Sequence, residues 1–149
     1  MKKETTQEIK DFCDRIEITK NQFFGKAEIV GNSYLNGITS IPEGFSPVVR
    51  GNLMLNGLTY IPQGFNPIVS YNLYLGSLTS IPEGFSPEVG GSLWMEELMS
   101  IPQGFNPIVG QNLHLESLDL IPEWFKPTVG GSIILRDMSI YIGSEITQF

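Results

Sequence analysis

The segment GNLMLNGLTYIPQGFNPIVS, residues 51–70, is one copy of a unit that recurs five times between Gly31 and Gly130 with no insertion or deletion. GNSYLNGITSIPEGFSPVVR (31–50) precedes it, and YNLYLGSLTSIPEGFSPEVG (71–90), GSLWMEELMSIPQGFNPIVG (91–110) and QNLHLESLDLIPEWFKPTVG (111–130) follow. A sixth copy opens at Gly131 with GSIILRDMSI and then loses the pattern. A fixed period of 20 residues is the signature of a solenoid, in which each turn must stack on its neighbours to bury its apolar face.

Six columns stay apolar through the copies, shown in the second by Leu53, Leu55, Leu58, Ile61, Phe65 and Val69. These are the expected core. Leu53 and Leu55 alternate with Asn52, Met54 and Asn56 as in a half-buried strand, so the latter three are expected to face outward. The fold class that follows is a repeat solenoid with a parallel β-sheet, one short strand per turn, stacked at about 4.8 Å.

The far side of each turn reads as extended chain and tight turns. Ile-Pro at 41–42, 61–62, 81–82, 101–102 and 121–122 forbids helix across that junction, because the residue before proline is pushed to extended geometry. Gly44, Gly64, Gly84 and Gly104 read as positions of positive φ or of close packing, although the fifth copy places Trp124 there. Glu43, Gln63, Glu83, Gln103 and Glu123 alternate in charge from turn to turn. That spacing doubles the gap between carboxylates that would otherwise repel.

The ends depart from the pattern. Thr5-Thr6-Gln7-Glu8 reads as a capping box, and Ile9, Phe12, Cys13 and Ile16 follow at helical spacing, which predicts an amphipathic helix over 6–16. Residues 1–30 form an N-terminal cap in this reading, with 21–30 a degenerate half turn, 31–140 the solenoid and 141–149 a C-terminal tail. Ser33 stands in a leucine column of the first turn. The thin closure after Ile133, Leu135 and Met138 predicts an exposed C-terminal edge able to pair with a second copy.

Composition narrows the function classes. The formal charge is −7, and residues 31–130 carry two basic against eight acidic side chains, a balance of −6. An acidic solenoid lacks the basic footprint of direct nucleic-acid binding and suits a protein partner with a basic surface. No apolar run after Lys2-Lys3 forms a secretory signal or a membrane span, so a cytoplasmic location with no membrane association is expected. The single cysteine, Cys13, excludes an internal disulfide framework and is assigned to the packed face of the capping helix. No cofactor is expected: there is no phosphate-loop glycine motif and no set of three or four convergent metal ligands.

Leu55 to Phe65, LNGLTYIPQGF, resembles the leucine-rich repeats. The order of Leu73, Leu75, Leu78, Ile81 and Phe85 is similar to the BspA-like bacterial type. Ile61-Pro62 and Asn56 are similar to the leucine-proline and asparagine positions of the short repeats of secreted bacterial effectors. Gly76, Glu96 and Glu116 replace Asn36 and Asn56 in later turns, so an asparagine ladder on that column is not expected to persist. The IPEGF wording also resembles tandem repeats of gut Bacteroides-type bacteria and their phages. The resemblance covers residues 31–140 and implies architecture more than activity, since repeat scaffolds carry unrelated functions.

Function is expected where the copies differ. The outward strand column runs Tyr34, Met54, Tyr74, Trp94, His114, Ile134, and its neighbours carry Glu96, Glu97, Glu116 and Arg136. Large side chains on a rigid sheet are the composition of a binding face, with Trp94 as a candidate anchor; cross-strand stacking that merely stabilises a sheet is the structural alternative. A lone histidine such as His114 reads as a surface group rather than a ligand. Glu96 and Glu116 at about 5 Å would match a retaining-glycosidase pair, but no oriented base or pocket accompanies them. The reading is a non-catalytic protein-binding module. Two alternatives stand beside it: a carbohydrate-binding module using Tyr34, Tyr74 and Trp94, and, implied only by the phage resemblance, an intracellular inhibitor of a bacterial defence protein.

Overall fold

The computed structural model describes residues 6–136 and 140–142, with the side chains of Thr6 and of 140–142 outside the description. It is a β-solenoid of 20-residue turns headed by a helix. Helix α1 (Thr6–Ile16) occupies the predicted span; the proposed cap at Thr5 lies outside the described residues, as do Met138 and 143–149. A short helix α2 (Lys20–Phe23), not anticipated, follows it. Here a capping box is observed: Thr19 Oγ1 accepts from the Gln22 amide at 3.1 Å, and Gln22 Oε1 accepts from the Thr19 amide at 2.8 Å, satisfying two helix-end donors reciprocally.

Each turn carries two short strands rather than one. Strands β1 (Glu28–Val30), β3 (Val48–Arg50), β5 (Ile68–Val69), β7 (Glu88–Val89), β9 (Ile108–Val109) and β11 (Thr128–Val129) form the first sheet, in that order. The second comprises β2 (Ser33–Tyr34), β4 (Leu53–Met54), β6 (Leu73–Tyr74), β8 (Leu93–Trp94), β10 (Leu113–Leu115) and β12 (Ser132–Leu135). All pairings among these are parallel at a constant offset of one repeat, as in Val49 with Val69 and Leu53 with Leu73. The single-strand expectation is thus corrected. Proline fixes an extended φ at Pro47, Pro67, Pro87 and Pro107, and the carbonyls of Pro47, Pro67 and Pro87 accept from Ile68, Glu88 and Ile108 at 3.0–3.1 Å. The return segment therefore pairs into a sheet of its own.

At the C-terminal end β13 (Ile140–Ile142) turns back and pairs antiparallel with β12, Ile133 opposite Tyr141. The edge of the second sheet that the sequence leaves open is occupied by this strand.

The six apolar columns are the core: Leu53, Leu55, Leu58, Phe65, Leu73, Leu75, Leu78, Phe85 and their counterparts are almost wholly buried. The phenylalanines stack through the axis. Phe45, Phe65, Phe85, Phe105 and Phe125 follow at centroid distances of 5.9, 6.2, 5.9 and 5.3 Å, with planes within 13° of parallel. At the N-terminus Phe12 of α1 closes the stack edge-on to Phe45, at 5.1 Å and 70°, and Cys13 is buried beside it. Gly44, Gly64, Gly84 and Gly104 take φ of 93°, 85°, 83° and 79°, the first of the two readings the sequence offers. Trp124 leaves that region, Glu17 being the non-glycine residue at positive φ, so the fifth turn reshapes this corner instead of straining it.

A second ladder runs down the corner between the sheets. Asn32 Oδ1 accepts from the Asn52 amide, Asn52 from Asn72, and Asn72 from Ser92, each at 2.8 Å. Ser92 Oγ then accepts from Asn112 at 3.1 Å, and Asn112 Oδ1 from Ser132 at 2.9 Å. These side chains, expected to face solvent, satisfy backbone donors at a bend where no ladder carbonyl reaches them. The column at Asn36 and Asn56 does the same and stops at the Gly76 amide, in keeping with its loss of asparagine.

Candidate functional site

The outer side of the second sheet gathers the residues singled out from the sequence. Strand alternation puts Leu53, Leu73, Leu93 and Leu113 inward, so Tyr34, Met54, Tyr74, Trp94, His114 and Ile134 form one outward column. In register Tyr34 pairs with Met54, Met54 with Tyr74, Tyr74 with Trp94, Trp94 with His114, and His114 with Ile134.

The members differ sharply in exposure. Tyr34 is 68% exposed and His114 only 7%, while Met54, Tyr74, Trp94 and Ile134 are half-buried. The cause is stacking. Tyr74 lies 5.9 Å from Trp94 with planes at 14°, and His114 lies against the other side of the indole at 3.5 Å and 6°. Trp94 is thus enclosed on both faces and shows its edge. Tyr74 Oη accepts from Asn72 Nδ2 at 3.2 Å, tying this stack to the corner ladder.

Beside the stack lie the carboxylates. His114 Nδ1 stands 2.8 Å from Glu116 Oε1, which orients the imidazole against the indole. Glu96 spreads over the place where Gly76 has no side chain: a Cβ there would sit 3.3 Å from Glu96 Oε1. Glu97 is exposed. Arg136 is not drawn to this patch; it lies 3.5 Å from Asp119 and donates to the Ser117 carbonyl at 3.4 Å. Among the described residues no lysine or arginine pairs with Glu96, Glu97 or Glu116. Trp94 Nε1, Glu96 Oε1 and Glu116 Oε2 are shielded from solvent and have no hydrogen-bond partner there.

Among the described residues no group of three or more His, Cys, Asp or Glu side chains is placed to hold a metal ion, and no helix is long and apolar enough to cross a membrane. The burial of His114 corrects the expectation of a surface histidine. Its signal is present in the column: an aromatic one turn back, and Glu116 two residues on, on the same strand face.

No protein-family model matches this sequence, and no curated protein or solved structure shows a significant match to it. What the chain establishes by its own geometry is a parallel β-solenoid of 20-residue turns with an N-terminal helix, bearing one sheet face on which the turns differ.

Proposed function

We propose that this protein is a non-catalytic binding module, and that the outer face of its second sheet, from Tyr34 to Arg136, docks a protein partner through a basic surface. The observation that carries the reading is the uncompensated acidic patch. Glu96 and Glu116 occupy one column on adjacent turns, and among the described residues no lysine or arginine pairs with either, His114 being the group beside Glu116. The kinship to leucine-rich repeats belongs to the same reading, since those scaffolds also present a sheet of variable side chains.

A sugar ring docks on an open aromatic face, and with both faces of Trp94 taken the sugar-binding alternative is left with Tyr34 as the exposed aromatic of the column. The test is kinetic, on a partner recovered by affinity capture. Glu96→Lys/Glu97→Lys leaves the Glu116 contact to His114 in place. It should slow association by roughly tenfold or more at low salt, with the difference from the parent fading as salt is added. Association unchanged by this reversal would move the binding function off this face.

A further inference from the structure

The first turn has a gap that no other turn has. Leu53, Leu73, Leu93, Leu113 and Ile133 fill one inward column and are 0–4% exposed, but its first position is Ser33. A cavity of about 320 Å³ opens there, lined among others by Ser33, Leu35, Ile16, Ile18, Phe45 and Leu53. It adjoins a second, of about 380 Å³, between Arg15–Glu17 and Tyr34–Ile38. Together they form a cleft along β2, with the chain after α1 as its far wall.

Among the described residues that strand is the outermost of the second sheet, with no strand beyond it. Ser33 and Leu35 donate to the Asn52 and Met54 carbonyls at 2.8 and 2.9 Å. Successive residues of a strand direct their backbone groups to opposite edges, so the N–H and C=O of Tyr34 face the cleft. At the other end of the same sheet, β13 occupies the equivalent position beside β12.

We propose that the cleft takes an extended segment of a partner protein, added to β2 as a further strand, with a leucine or isoleucine side chain seated over Ser33. Strand addition uses main-chain hydrogen bonds for affinity and a pocket for one side chain for selectivity. The side chain is specified by the column itself: the five later turns place leucine or isoleucine in it, and an occupant one level further out meets the same apolar walls. The cleft lies at the N-terminal end of the sheet, apart from Glu96 and Glu97, so this inference stands independently of the acidic face.

The test uses the full chain, labelled with ¹⁵N, and two blocked peptides, Lys-Thr-Thr-Leu-Thr-Thr-Lys and its counterpart with alanine at the centre. The leucine peptide should shift the amides of residues 15–18 and 33–38, and the alanine peptide should bind at least about tenfold more weakly, as the loss of three buried side-chain carbons requires. Ser33→Leu, which puts the column's own side chain into the gap, should raise the melting temperature and weaken peptide binding at least about tenfold; Ser33→Val gives the same readout if the larger residue does not fit. Absence of shifts at these amides, or equal binding by parent and filled variants, overturns the proposal. So does concentration-dependent self-association of the chain that Ser33→Leu abolishes, which would make the occupant a second copy.

Discussion

Two columns of side chains run along this solenoid, one inside that is aromatic from Phe45 to Phe125 and one outside that stacks rings over Tyr74, Trp94 and His114, and the same 20-residue period builds both. The inner stack is phenylalanine at every step from Phe45 to Phe125, with spacings of 5.3–6.2 Å. The outer one changes at every step, and its closest contact is 3.5 Å, between Trp94 and His114. Inside, each ring is walled by the other core columns, so only one shape fills the space at the density of a protein interior. Outside, the neighbour along the axis is fixed but the lateral side is open, and any flat side chain stacks. The repeat therefore fixes spacing in both places and residue identity in only one.

The most direct way to break the comparison is at adjacent turns, one on each side. Phe85→Ala removes a ring 2% exposed from the middle of the inner stack and should cost about 3–5 kcal/mol in a denaturant titration. Trp94→Ala, in the outer stack, should cost about 1–2 kcal/mol, the scale of two aromatic contacts on a half-open surface. If the two losses are equal, the outer column is part of the core and the contrast fails.

Between them stands the corner ladder. Asn72→Ala leaves the Ser92 amide without its acceptor at 2.8 Å and should cost about 1–3 kcal/mol, with faster hydrogen exchange at that amide. Smallest is Tyr34→Ala, at the exposed end of the outward column, where a change within about 0.5 kcal/mol is expected from thermal melts.

Much of the inner stack is legible in the amino-acid sequence, because six apolar columns repeating without a gap admit one way of stacking. The positive φ of Gly44, Gly64, Gly84 and Gly104 is legible for the same reason: glycine at a fixed place in a turn is a conformational statement. The strands of the first sheet are not. Ile68–Val69 and its counterparts are two or three residues long, too short for alternation to show, and their pairing comes from the turns above and below rather than from their own sequence. The corner asparagines read as solvent-facing groups because a side chain that bonds the next turn's backbone leaves no periodic trace beyond its own recurrence. On the candidate face the column is legible, but the enclosure of Trp94 is not. Side-chain planes depend on which residues meet across strands, and His114 gains its place from Glu116 as well as from the indole.

Cys13, at the head of the inner column, is withdrawn from solvent chemistry. Burial pushes its thiol above the ordinary cysteine range, with Asp14 acting in the same direction, so at neutral pH it stays protonated and a poor nucleophile.

The corner ladder also has a direction. In every step a side-chain oxygen of one turn receives the amide of the turn after it, from Asn32 through to Ser132. Each finished turn therefore holds out an acceptor before the residue that will fill it has arrived. A chain synthesised from its N-terminus meets these acceptors in the order in which its turns emerge, starting from a helical cap that closes the phenylalanine stack. The corner thus gives the solenoid a polarity along its axis, with each turn offering the acceptor and the turn after it the donor.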